Sequence, residues 1–251
     1  MHMRIMSPHD AARPPPLPPL QEMRAAALTI LPILVAAAPF AMAIGTLGTQ
    51  AGLSVLEITL MSTLVFAGGS QFVTVELWTE PAVLVTLAFA TLIVNLRHVL
   101  MGAALAPHLG RFGRKQLALC LFWMTDETWA LVLRRAQTTP LTPLYYITLS
   151  IILWTTWVAG TLAGAALGTA IEDPRVYGFD FAFAAIFLTL LVGMWRGGRT
   201  GWPWATAAAT AVLVHQLVPG AWYIFAGAVA GGVVGYVRGG PAARRPAKAT
   251  P

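Results

Sequence analysis

"AAALTILPILVAAAPFAMAIGTLG", residues Ala25 to Gly48, runs for 24 positions without a charged side chain. At 1.5 Å of rise per residue, a helix of that length reaches about 36 Å, enough to cross the roughly 30 Å of bilayer hydrocarbon. The rest of the chain has the same character. Of its residues 57% are hydrophobic and only 10% charged, with a mean hydropathy of +0.69, whereas a soluble domain carries about 25% charged residues. An isoelectric point of about 10.1 raises nucleic acid as a partner. The basic residues, however, are scattered at the ends of apolar runs and form no stripe with interleaved aromatics, so the sequence reads as having no nucleic-acid role. It reads instead as an all-α, polytopic transmembrane bundle with the lipid bilayer as its surroundings.

Polar, glycine and proline punctuation divides the apolar core into eight candidate spans: Ala25–Gly48, Leu53–Trp78, Pro81–Leu105, Leu117–Leu133, Pro143–Gly168, Gly178–Trp195, Trp202–Val218 and Pro219–Val237. The last loop is so short that seven spans also fit. Residues 1–23 hold "ARPPPLPPL" with Asp10 and Glu22, the composition of a polyproline tail and not of a signal peptide. Residues 238–251, "RGGPAARRPAKATP", read as a second, basic tail. Both tails are expected to be disordered, and residues 24–237 form the membrane domain.

Eight spans with both termini in the cytoplasm put eleven basic residues inside against four outside, the bias the positive-inside rule asks for. The cluster "GRFGRK", with Arg111, Arg114 and Lys115, falls on the wrong side of that count. Either the second or third segment is broken and does not span simply, or the rule is overridden there.

The second segment is irregular. It carries Glu57 and then "VFAGGSQFVTVE". Adjacent glycines each weaken a helix by about 1 kcal/mol relative to alanine. Gly68, Gly69 and Ser70 are therefore expected to interrupt the helix, with the amide of Gln71 facing substrate. Non-helical backbone at membrane depth must face protein or a water-filled cavity. Close helix packing on small residues is the alternative for the glycines.

In "IVNLRHVLMG", residues 93–102, three polar side chains fall within four positions. Asn95 and His98 share a helix face, and Arg97 points about 100° away from His98. Arg97 is 16 residues past Pro81, about 24 Å along a regular helix. It either snorkels to the headgroups or is paired and solvated by a cavity. The segment "LALCLFWMTDETWALVL" supplies the opposite charge, with Asp126 and Glu127 near its centre. Placing a charge there costs about 2.5 to 3.5 kcal/mol. One acid can pair with Arg97. A single arginine cannot neutralise both, so the other acid is a candidate proton carrier or ammonium ligand.

Cys120 is read as a small core residue, Asp180 as a helix cap and His215 as a packed histidine. Trp78, Trp195, Trp202 and Trp222 lie near predicted interfaces, as aromatic belts do. Gly160, Gly164 and Gly168 are spaced by four, as are Gly227, Gly231 and Gly235. Each set makes a glycine groove for close approach, within the chain or toward a partner. No metal or cofactor is expected, since a single cysteine offers no redox or zinc framework, and the hydrolase signatures H-E-x-x-H and G-x-S-x-G are absent. An intramembrane hydrolase would need Ser70 and His98 as a nucleophile and base. A scaffold built on the glycine grooves would leave the buried charges unexplained.

The stretches "GLSVLEITLMSTLVFAGGSQF", "VNLRHVLMGAALAPHL", "TDETWAL" and "FDFAFAAIF", in this order and spacing, resemble the AzlC family, the large subunit of bacterial branched-chain amino acid exporters. The resemblance covers about Ala25 to Gly235. It implies an inner-membrane exporter of valine, leucine and isoleucine, with methionine a further candidate. It also implies proton-motive driving and a small membrane subunit of the AzlD type. The family's FAG-x-x-QF pattern maps onto Phe66, Ala67, Gly68, Gly69, Ser70, Gln71 and Phe72. Its N-x-RH pattern maps onto Asn95, Arg97 and His98, and its TDE pattern onto Thr125, Asp126 and Glu127. On this mapping the substrate-binding or coupling residues are Gly68, Gly69, Ser70, Gln71, Asn95, Arg97, His98, Asp126 and Glu127.

Overall fold

The structure is a computed structural model describing residues 17–79, 81–110, 112–168, 198–218 and 222–239, with the single positions 188, 192 and 195. Most of both tails, most of the Gly178–Trp195 segment, and Asp180 lie outside the described residues. Every regular element among the described residues is helical. These are α1 (Pro19–Gln50), α2 (Val55–Leu64), α3 (Gly68–Glu76), α4 (Leu84–Asn95), α5 (Arg97–Leu105), α6 (Arg114–Phe122), α7 (Asp126–Ala136), α8 (Pro143–Gly168), α9 (Gly198–Leu217) and α10 (Trp222–Gly239). A short 3₁₀ turn, Ala106–His108, extends α5. Among the described residues, three helices are long and apolar enough to cross a bilayer: Pro19–Gln50, Leu84–His108 and Pro143–Gly168.

Helix α1 starts inside the stretch read as tail. Pro19 stands in its first turn, where a missing N–H costs nothing, and Glu22 follows in the same turn. The helix continues through Pro32 and Pro39, each of which leaves one backbone carbonyl without its helical donor. Gly52, at φ 96°, turns the chain after α1. There the amide of Leu53 donates to the carbonyl of Gly48 at 3.0 Å. Ser54 and Glu57 then close a capping box on α2, so Glu57 serves a helix start.

Helices α1 and α8 pack along their glycines. A Cβ on Gly164 would collide with the backbone of Met42, and one on Gly45 with the backbone of Thr161 and Ala165. The close approach lets the Thr46 hydroxyl donate to the carbonyl of Gly164 at 2.9 Å. In the second set, Gly227 and Gly231 face Ala207 and Pro203 of α9. Both grooves are therefore seams within the chain. Gly164→Ala is expected to lower stability by about 1 to 3 kcal/mol, because two backbones must part. Gly232→Ala, which meets nothing within 4 Å, should hold or raise the thermal midpoint of detergent-solubilised protein, since alanine is favoured over glycine inside a helix by up to about 1 kcal/mol. A thermal-shift comparison of the two variants checks this.

Two of the eight expected spans are interrupted: the second, where a break was expected, and the fourth. Leu53–Trp78 divides into α2 and α3, with the break at residues 65–67, ahead of the glycines. Gly68, Gly69 and Ser70 are helical, and Phe66, at φ 44°, carries the left-handed turn. That conformation costs a non-glycine residue about 1 to 3 kcal/mol and persists only where its surroundings hold it; Phe66 is buried in the core. Leu117–Leu133 divides into α6 and α7 around extended Thr125, so Asp126 and Glu127 open a helix and do not lie at the centre of one. The third segment begins its helix at Leu84 and runs on to His108; Leu96, between α4 and α5, keeps helical dihedrals (φ −55°, ψ −26°), so Arg97 follows a local irregularity and not a break.

Candidate functional site

The two breaks and the irregularity at Leu96 meet at one cavity of about 360 Å³, at the small end of the range for small-molecule sites. Its polar lining comes from the joints: Gly68 and Gly69, Arg97 and His98, and Thr125, Asp126 and Glu127. The apolar lining comes from Ile33, Ala37 and Phe40 of α1, from Phe66, and from Leu153 and Trp157 of α8.

The helix starts at the two broken segments differ. On α7, the Thr125 amide donates to the Thr128 hydroxyl at 2.8 Å, and the Thr128 amide donates to the Thr125 hydroxyl at 3.3 Å. This end is capped by its own chain and presents two acids. No side chain caps α3, so its first N–H groups, with the partial positive charge of a helix start, are free to meet an anion. A Cβ on Gly68 would come within 2.6 Å of the Trp157 ring and 3.2 Å of Phe40. Those rings pack edge to face with centroids 5.3 Å apart. Glycine is needed here for that close aromatic approach and not to break the helix.

Arg97 and Asp126 form an ion pair, Nη1 to Oδ2 at 2.6 Å, with each side chain about a third exposed (33% and 34%). Arg97 Nε is buried without a hydrogen-bond partner, which leaves a donor unused. Asp126 is thereby matched by a cation, while no cation pairs with Glu127 among the described residues. A ring nitrogen of His98, Nδ1, lies 3.2 Å from the Asn95 carbonyl. When Nδ1 donates to that carbonyl, Nε2 is left as an acceptor.

Six of the nine residues singled out by sequence line the cavity: Gly68, Gly69, Arg97, His98, Asp126 and Glu127. Ser70, Gln71 and Asn95 do not. Ser70 donates to Asn95 Oδ1 at 2.9 Å, tying α3 to α4. Its hydroxyl is thus spent on Asn95 and not on His98 as a hydrolytic pair would require. Gln71, expected to face substrate, is buried. Its Nε2 donates to the Ser62 hydroxyl at 2.7 Å, and its Oε1 accepts from Trp157 Nε1 at 2.9 Å. The amide thus clips together α2, α3 and α8 across the break. Gln71→Leu would orphan a buried indole N–H, at a cost of about 1 to 3 kcal/mol. Such a variant is expected to melt earlier and to bind cavity ligands more weakly, with a thermal-shift assay and a binding titration as the checks.

Phe40, Leu153 and Trp157 went unremarked in the sequence because apolar residues within apolar spans look like ordinary core. Trp157 did carry a signal: it lies in the middle of Pro143–Gly168, far from the interfaces tryptophan favours. Among the described residues, no three His, Cys, Asp or Glu side chains are grouped to hold a metal. The cavity therefore offers an uncapped helix start, one carboxylate without a paired cation and an aliphatic-aromatic wall.

Comparison with known proteins places the chain among membrane proteins. Residues 32–171 match the family model described as AzlC protein, a stretch that contains every cavity residue named above. A membrane protein of Archaeoglobus fulgidus is 31% identical over 209 residues, covering 80% of this chain and 88% of its own. The inner membrane protein YgaZ of Escherichia coli is 29% identical over 172 residues, covering 66% and 70%. The branched-chain amino acid transport protein AzlC of Bacillus subtilis is 28% identical over 149 residues, covering 57% and 56%. No solved structure matches the chain. With more than half of its length inside the family model, and its joints and cavity within the matched region, the chain is a membrane protein that belongs to the AzlC family.

Proposed function

We propose that the chain is a transporter that exports branched-chain amino acids, valine, leucine and isoleucine with methionine a further candidate, across a bacterial inner membrane. The observation that carries the reading is the pairing, in one cavity, of an uncapped helix start at Gly68 and Gly69 with the carboxylate of Glu127. A zwitterionic amino acid needs an anion site and a cation site within a few ångströms of each other, and transporters commonly make the anion site from a half-helix N-terminus. Its carboxylate meets the first N–H groups of α3, and its ammonium meets Glu127. Asp126 is held by Arg97 and keeps that arginine from competing for the ammonium's partner. The aliphatic side chain then lies against Ile33, Phe40, Leu153 and Trp157. At about 25 cal/mol per Å², that wall rewards branched aliphatic side chains over small or polar ones.

The name of the Bacillus subtilis relative supports the same substrate class. Completion of the fold to seven or eight spans, both termini in the cytoplasm, proton coupling through Glu127 or His98, and a small AzlD-type subunit as partner belong to this reading as well. Its test is counterflow in liposomes with labelled leucine, with and without the co-expressed small subunit. Leucine-loaded vesicles should accumulate label above the protein-free level and release it on adding isoleucine. Equal counts with and without the transporter, under both conditions, would remove the assignment.

A further inference from the structure

Helix α7 carries an ion pair at each end. Nine residues after Asp126, Arg135 Nη2 meets Glu22 Oε2 of α1 at 2.8 Å. Here the side chains are only 15% and 2% exposed. The guanidinium also lies over the Tyr145 ring of α8, 3.9 Å from its centroid, and the other Glu22 oxygen accepts from the amide of Leu17 at 3.2 Å. The two pairs are about 13 Å apart along α7, and α7 is short enough to move as a rod.

We propose that Glu22, Arg135 and Tyr145 form the lock of a gate that closes the cavity toward one face of the membrane, with α7 joining the lock to the substrate end. The proposal rests on the transport reading above. Three observations support it. First, the closed path is continuous: Ala26, Ile30, Val132 and Leu149 are fully buried between the lock and the cavity, whereas Ile33 and Leu153, one turn further on, line the cavity. Secondly, a buried ion pair is a poor way to hold three helices together, since apolar residues of equal volume commonly do so as well or better. A polar contact gains its advantage where it must break and re-form in water. Thirdly, Arg135 Nε is buried without a hydrogen-bond partner, so the closed arrangement leaves one donor unsatisfied that an open one would hydrate. Arg134 and Arg135 mark this face as the cytoplasmic one by the positive-inside rule.

Cysteine accessibility in sealed vesicles tests the gate without relying on transport. In a C120A background, Ala36→Cys places a thiol in the cavity wall, and a separate Leu17→Cys variant, exposed beside Glu22, reports which membrane face carries the lock. With a membrane-impermeant thiol reagent, the cavity cysteine is expected to react slowly from the Leu17 face. Glu22→Gln should speed that reaction roughly tenfold, the change expected from one lost charge-assisted contact. The exchange E22R/R135E should return it to the slow rate. If E22Q does not accumulate in the membrane, Glu22→Asp, one methylene shorter, is read for the same acceleration. Fast labelling from the Leu17 face without any lock substitution, or no acceleration in the variants, would overturn the gate. Either result would leave leucine counterflow, and the transport reading, unaffected.

Discussion

Replacing Glu127 with glutamine is expected to reduce leucine counterflow by roughly a hundredfold, with the protein inserted at the wild-type level. The substitution keeps the shape of the side chain and removes only its charge. Breaking one partner of a buried, hydrogen-bonded charge pair costs about 2 to 5 kcal/mol, and a hundredfold loss sits near the lower end of that range. The size of the effect follows from the division of labour between neighbouring acids. Asp126 already has Arg97 at 2.6 Å, so the substrate ammonium is left with Glu127 as the carboxylate without a paired cation. Measuring counterflow and membrane abundance in the same preparation separates loss of function from loss of protein. Near-normal counterflow by E127Q would show that the ammonium is held elsewhere.

Arg97→Gln is the second large effect, for a different reason. Arg97 contacts the substrate's surroundings through Asp126, and without it Asp126 and Glu127 stand side by side at the start of α7 with no cation to offset them. Because each partner of the pair is about a third exposed, solvent tempers the cost. Counterflow is nevertheless expected to fall about a hundredfold, since the unbalanced charge lies at the cavity wall. The double variant R97Q/D126N removes both members together. It should recover to within about tenfold of wild type, because deleting a pair costs less than breaking it. A double variant as inactive as the single one would assign Arg97 a direct contact with the substrate carboxylate in place of the helix start at Gly68.

The membrane class and the polar residues that meet at the cavity were legible in the sequence, because charge in an apolar run stands out. Arg97, Asp126 and Glu127 had to be explained by each other, and an Arg97–Asp126 pair is what formed. The location of the breaks was not legible. Glycines mark both helix breaks and close contacts, and Gly68 proved to be the second kind, while bulky Phe66 took the left-handed conformation. Polar residues beside the motif were equally ambiguous. Gln71 and Ser70 had the chemistry of ligands, yet the strained joint at 65–67 needed bracing, and their hydrogen bonds to Ser62, Trp157 and Asn95 went to that purpose. Glu22 fell in a proline-rich stretch that resembled a tail. Its burial depends on Arg135, 113 positions away, and local composition cannot reveal such a partner.

The most direct test of the central claim, that one cavity recognises both ends of an aliphatic amino acid, is binding of leucine to the purified protein against its two truncated analogues. 3-Methylbutylamine lacks the carboxylate and 4-methylpentanoate lacks the ammonium. A competition titration is expected to show saturable leucine binding that isoleucine displaces and neither analogue does, and that E127Q abolishes. Displacement by either analogue as effective as by isoleucine, or leucine binding untouched by E127Q, would contradict it.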